Sequence, residues 1–107
     1  MVANRFDVYL INLDPTLDSE IQKTRPCLII SPDEMNRHVR TVIVAPMTSA
    51  TKDYPTRVNY RFKRKKGQIV LDQIRTIDKK RLIKRLGSID AKTQLEVVSV
   101  LQRLFAF

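Results

Sequence analysis

Six short runs rich in β-branched and aromatic residues, each closed by turn-forming residues, occupy the chain up to residue 89. They are FDVYLINL (6–13), PCLIIS (26–31), RTVIVAP (40–46), TRVNYRF (56–62), QIVLDQ (68–73) and LIKRLGSI (82–89). None is long enough for a core helix, and their composition suits a pleated, half-buried surface, so strands are expected. Pro26 opens the second run, where a missing N–H does least harm, and Pro46 closes the third. Between them, PDEMNRHV reads as a short helical turn, KRKKG (63–67) as a turn and IRTIDKKR as a short helical link, with Gly87 at a bend or bulge. Only the last segment changes period. In AKTQLEVVSVLQRLFAF (91–107), Leu95, Val98, Leu101, Leu104 and Phe105 share one helical stripe, and Asp90 is placed to cap the first turn. This order predicts a mainly β (α+β) fold: a strongly curved sheet or small barrel with a C-terminal helix packed on it. At 107 residues the chain is expected to form a single domain, 1–107.

No apolar run reaches the roughly 18 residues that a membrane span needs, and MVANRFDVYL lacks the basic-then-apolar order of a signal peptide. The one cysteine, Cys27, cannot form an intramolecular disulfide, which fits a reducing cytoplasm. Charge is more informative. Residues 1–56 carry six basic and seven acidic side chains, whereas residues 57–107 carry 14 basic and four acidic. Two runs, RVNYRFKRKK (57–66) and RTIDKKRLIKR (75–85), hold most of the excess. Such asymmetry points to a polyanionic partner; were that partner an unpaired nucleic acid, it would lie along these runs with Tyr54, Tyr60 or Phe62 available for stacking.

Several chemistries are not written in the chain. Only Gly67 and Gly87 are present, so there is no glycine-rich phosphate loop; no Cys/His group has zinc spacing, and the acidic residues are scattered. No metal or cofactor is expected. Cys27, inside the apolar CLII, reads as a buried hydrophobe, and His38, among basic neighbours in NRHVR, as a surface histidine. What remains are two junctions between strand and polar loop. Arg25 ends the loop 14–25, and Thr48 begins the loop 47–55. Loops of that length in a small domain are often functional. A guanidinium forks onto a phosphate and keeps its charge at any ordinary pH, and a threonine hydroxyl can bond a phosphoryl oxygen. On spacing alone, Arg25 reads first as a surface ion-pair partner and Thr48 as a turn residue.

At these same residues the chain resembles a known family. DVYLINLDPTLDSEIQKTRPCLIIS, VIVAPMTS, VLDQIRTIDKKRL and LGSID are similar, in order and over nearly the whole length, to the MazF/PemK (Kid) toxin endoribonucleases. The resemblance implies an SH3-like β-barrel with short connecting helices and a C-terminal helix. It also implies a homodimer and sequence-selective, metal-independent cleavage of single-stranded mRNA that leaves 2′,3′-cyclic phosphate and 5′-hydroxyl ends. The arginine of the family's RP motif falls on Arg25, the threonine of its P-x-TS motif on Thr48 and the acid of its SE pair on Glu20. Gln73 of the DQ pair, Leu17 and Ser19 match positions that meet RNA. A cognate acidic antitoxin, and operator DNA bound only through the toxin–antitoxin complex, are implied as partners. Two departures stand out: Phe6 replaces the glycine of the family's R-G-[DE] triplet, and Asp18 replaces the glycine before SE.

Under this resemblance Arg25 faces the phosphate oxygens and the leaving group, Thr48 supports the same phosphate and Glu20 takes the 2′-OH proton. Two rival readings are a nucleic-acid-binding barrel without cleavage and a CcdB-like toxin that acts on gyrase. Cutting of a short RNA in the absence of gyrase separates the endoribonuclease from both, and a gel shift without cutting marks the binding barrel.

Overall fold

A computed structural model describes residues 2–17, 19–21 and 23–107. Its elements run β1 (Asp7–Asn12), β2 (Thr24–Ile29), α1 (Asp33–His38), β3 (Thr41–Thr48), β4 (Arg57–Phe62), β5 (Lys65–Val70), β6 (Arg75–Asp78), β7 (Leu82–Ser88) and α2 (Ala91–Leu104). The strands pair antiparallel in the order β4-β5-β3-β2-β1-β7, and β6 adds to β3. The result is the expected mainly β architecture, a curled antiparallel sheet with a C-terminal helix.

Both faces of the central strands are covered, so β1, β2 and β3 read as nearly unbroken apolar runs. Alternate residues feed two cores. Val8, Leu28, Ala45, Met47 and Ile69 pack with Val97 and Val100 of α2. Tyr9, Ile11, Cys27, Ile29, Val42 and Val44 face the other way and are joined by Leu13 and Ile21 from the first loop. Within the sheet, β7 bulges twice against β1: Val8 pairs with Gly87 but Tyr9 with Arg85, and Leu10 with Lys84 but Ile11 with Leu82. Bulges deepen local twist and bend an edge strand inward. Gly87, at φ +152°, is needed there, because a Cβ would lie 2.9 Å from the Phe62 ring.

Five sequence expectations are corrected. The third strand does not stop at Pro46. It runs to Thr48, because β6 occupies one edge of β3 at Thr41–Val44 and β5 the same edge at Met47–Thr48. That leaves Pro46 between the two partners, where its missing N–H costs little. The segment 63–67 is not all turn. Only Lys63 and Arg64 turn, at φ +49° and +67°, while Lys65 and Lys66 pair with Phe62 and Arg61. Two positive φ values define a tight hairpin turn that Asn-Gly ordinarily fills; left-handed geometry at non-glycine residues costs on the order of 1–3 kcal/mol each. The link IRTIDKKR contains β6 before a single 3-10 turn at Lys79–Arg81, and the run QIVLDQ ends as a strand at Val70 before another at Leu71–Gln73. Finally, α2 turns Thr93, Val97 and Val100 to the core; of the expected stripe, Leu101 packs against that core while Leu95, Leu104 and Phe105 are exposed.

Other local readings hold. The Asp90 carboxylate accepts the Thr93 N–H at 2.8 Å, and hydrogen bonding from the Thr93 side chain first, then from this N–H, holds its pKa below the usual value. Phe6, in the glycine's place, sits at φ +73°, the left-handed region where glycine is unstrained. The Asp18 departure lies outside the described residues. No described helix is long and apolar enough to cross a membrane.

Candidate active site

The site begins where two strands separate. The β2–β3 ladder ends at Cys27 opposite Pro46. Beyond it, Arg25 and Thr24 stay with Ile11 and Asn12 of β1, while Met47 and Thr48 pair with Ile69 and Gln68 of β5. Two prolines, Pro26 and Pro46, withdraw donors at this point. Continuing the register by two residues sets Arg25 across from Thr48, on the face of the sheet that carries Cys27. Guanidinium and hydroxyl thus stand on the two lips of a fork, both half-buried. Sequence analysis singled out these two junctions separately; both leave the ladder at the same end of the β2–β3 pair.

Thr48 is held closely. Its Oγ1 accepts the Ala50 N–H at 3.2 Å, so its own hydrogen is directed elsewhere. Its carbonyl lies where a Cβ on residue 67 would stand, 2.1 Å away, so only glycine fits at Gly67. The opposite lip rests on Cys27. Burial pushes the Cys27 thiol up to about 12, while the nearby positive charges of Arg25 and Arg75 pull the other way. Cys27 is therefore the buried, protonated hydrophobe the sequence suggests. His38 is exposed at the end of α1, also as expected.

Beside the fork opens a furrow of about 500 Å³. Ser19, Glu20 and Ile21 line one side, Tyr54 and Arg57 the other, and Pro46 with Asp72–Arg75 lie between. Of the six residues expected at the site, Ser19, Glu20 and Gln73 line this furrow; Arg25 and Thr48 do not, and stand at the fork next to Pro46, which does. Leu17 is 79% exposed on the loop and does not line it.

Two glutamines hold the walls. The Ile21 N–H donates to Gln73 Oε1 at 2.9 Å, across 52 residues of sequence. Buried Gln68 accepts the Lys52 N–H and donates back to the Lys52 carbonyl, both at 2.9 Å, which fixes the second loop. At the base of the first loop, Leu13 N–H meets the Lys23 carbonyl, Lys23 N–H meets Asp14 Oδ1, and Arg75 donates to the Leu13 carbonyl. Arg81 donates to the Asn12 and Asp14 carbonyls. Inside the loop, Glu20 Oε1 accepts the Leu17 N–H at 2.6 Å and the Glu20 N–H meets the Leu17 carbonyl, so this carboxylate also shapes the turn.

The far wall is a stack. The Arg57 guanidinium lies 5.0 Å from the Tyr54 ring centroid and 3.3 Å from Asp72 Oδ1, which also accepts the Thr56 hydroxyl. Tyr54 is half exposed beside the furrow, whereas Tyr60 and Phe62 are partly buried against the core and lie away from it. Sequence analysis missed Arg57, Gln68, Asp72 and Arg75. The two arginines are indistinguishable from their neighbours in the basic runs, and Gln68 signals nothing until its loop is placed. Among the described residues, no three His, Cys, Asp or Glu side chains converge as a metal site.

Comparison with known proteins agrees with this geometry. Residues 4–105 match the family model for PemK-like, MazF-like toxins of type II toxin–antitoxin systems. The chain is 38% identical to Endoribonuclease EndoA of Bacillus subtilis, covering 95% of this chain and 93% of that protein. The crystal structure of MazF from Deinococcus radiodurans superposes with a TM-score of 0.88 at 26% identity, over 100% of this chain and 99% of that one. A mycobacterial endoribonuclease solved in complex with its cognate antitoxin gives a TM-score of 0.81 at 25% identity, covering 94% and 92%. The chain belongs to the PemK-like, MazF-like toxin family of type II toxin–antitoxin systems.

Proposed function

We propose that the chain is an endoribonuclease that cuts single-stranded mRNA at selected sequences, using the RNA's own 2′-oxygen as nucleophile and no metal. The observation that carries this reading is the fork: the extended register sets Arg25 across from Thr48 beside an open furrow. The 2′-oxygen bonds to phosphorus, the P–O5′ bond breaks, and a 2′,3′-cyclic phosphate and a 5′-hydroxyl result. The protein must align these atoms and spread negative charge. Alignment contributes up to about 7–11 kcal/mol, and each preorganised donor about 3–4 kcal/mol. Arg25 grips the phosphate oxygens and stands beside the departing 5′-oxygen, which takes its proton from water, as Glu20 later returns its own to water. Thr48 donates to the same phosphate; its oxygen already accepts the Ala50 N–H, which favours that direction. Glu20 takes the 2′-OH proton on the oxygen not committed to Leu17. Ser19 and Gln73 contact RNA in the furrow, with Leu17 at its outer edge.

The chain works as a homodimer. The exposed apolar side chains Leu95, Leu104, Phe105 and Phe107 supply a surface for the second copy. Strand β3 does not, because β2 takes one edge and β6 and β5 the other. A cognate antitoxin with an acidic segment covers the positive furrow, a partner supported by the antitoxin-bound mycobacterial relative. Operator DNA is bound only through that complex.

The test is direct. Purified chain, with excess chelator and no gyrase, is mixed with unstructured RNA, and the 5′ ends of the products are mapped. Cuts at a recurrent short word are expected. Intact RNA, or activity lost in chelator, contradicts the reading.

A further inference from the structure

The two basic runs do not lie in one place. The second reaches the furrow, where Arg81 holds the base of the first loop. The first runs out along β4, from Arg57 at the furrow to a turn at Lys63–Arg64. Six strand residues span about 20 Å, which sets the turn that far from Arg57; Thr48, paired with Gln68 of β5, is four strand residues, roughly 13 Å, from Arg64. Arg61, Lys63, Arg64, Lys65 and Lys66 are all exposed there. Lys66 and Arg61 also border a concavity of about 430 Å³ with Lys92 of α2. Its acids are Asp90, whose carboxylate is engaged as the α2 cap, and Glu96.

The turn's geometry argues against accident. Lys63 and Arg64 both adopt left-handed backbone, which side-chain-bearing residues disfavour. A turn chosen for stability carries Asn-Gly; here two long cations occupy it instead, and an outlier of this kind invites a functional explanation. The tip is also docked: Phe62 fills the space that Gly87 leaves and Lys63 lies 5.7 Å from the Phe62 ring centroid. No large apolar side chain between residues 59 and 66 is exposed. An acidic helix folding onto a protein needs such a surface; a phosphodiester backbone does not.

We propose that the β4–β5 hairpin tip, with Arg61, Lys66 and Lys92, is a sequence-blind exosite that holds single-stranded RNA by its backbone at a distance from the cut. It rests on the reading of the chain as an RNA-cutting enzyme and adds a second point of attachment. The exosite raises affinity for long transcripts and leaves the sequence choice to the furrow.

The decisive variant is Lys63→Asn with Arg64→Gly. It supplies the residues the turn prefers while removing two cations. Binding is measured with long 2′-O-methyl RNA, which lacks the attacking hydroxyl, and cleavage with a short RNA no longer than the furrow. The melting temperature is expected to rise and cleavage of the short RNA to stay unchanged. Affinity for the long RNA should fall roughly 25-fold at 0.1 M salt, with the salt slope shallower by about 1.4, since each lost phosphate contact removes about 0.7. Lys66→Thr, on the paired strand, should show a smaller loss in the same direction. Unchanged long-RNA affinity overturns the exosite, as does a loss seen only with polyglutamate, which would mark a site for acidic protein. If the wild-type chain leaves the short RNA whole while the variant still loses long-RNA affinity, the cleavage reading fails and the exosite stands.

Discussion

Arg25 and Thr48 carry the chemistry in this account, and they differ in what their loss should do. Arg25→Ala removes the fixed cation and is expected to lower kcat by about 10²–10³ or more, with the circular dichroism spectrum unchanged. Cleavage at the wild-type rate would dismiss its role. Cys27, beneath it, should be silent in catalysis and visible in stability. Its thiol ordinarily ionises near 9 and is pushed up to about 12 by burial. Between those values the unfolded chain gives up a proton that the folded chain keeps, so stability falls as pH rises through that window. Cys27→Ala should remove this component of the decline, read from urea midpoints at pH 8 and above pH 9; buried Tyr9, also raised, keeps its own share. Both residues could be singled out from sequence because their neighbours, a proline and an apolar run, report local burial. Arg57 and Arg75 could not, since nothing local separates a furrow arginine from a solvated one.

Elements set how well those side chains are held. Gly67→Ala places a methyl group 2.1 Å from the Thr48 carbonyl and 2.9 Å from the Tyr60 hydroxyl. It should destabilise the fold by about 1–3 kcal/mol and impair cleavage together, measured by chemical denaturation and initial rates. The glutamine latches act more selectively. Gln73→Glu keeps an acceptor for the Ile21 N–H, whereas Gln73→Leu removes it. The leucine variant should expose the Ile21 amide to hydrogen exchange and raise KM more than it lowers kcat, and the glutamate variant should keep the amide protected. Equal exchange in both would discard the latch. Strand content was largely legible because β-branched runs declare themselves. Strand β6 was not: Ile74 and Ile77 stand three apart, a helical interval, and only the distant edge of β3 draws the segment into the sheet. The same holds for Lys65 and Lys66, whose charge reads as loop until β4 pairs with them.

For the molecule as a whole, the sequence could show that α2 has an apolar stripe but not which body the stripe faces. The helix has two: Thr93, Val97 and Val100 meet the sheet, and Leu95 and Leu104 reach the surface. Leu95→Glu should leave the monomer folded and shift the dimer toward monomer in light scattering. The charged half of the chain predicts a steep salt dependence: if about six phosphates of a single strand are engaged, binding falls roughly 300-fold between 50 and 200 mM salt. What remains is the identity of the attacking oxygen. A short RNA carrying a single 2′-deoxy nucleotide on the 5′ side of the mapped cut measures it most directly. The account predicts that this RNA binds as tightly as the all-ribose strand and stays whole at that bond. Cleavage there at the ordinary rate would mean that the nucleophile is not the ribose, and the fork between Arg25 and Thr48 would need another explanation.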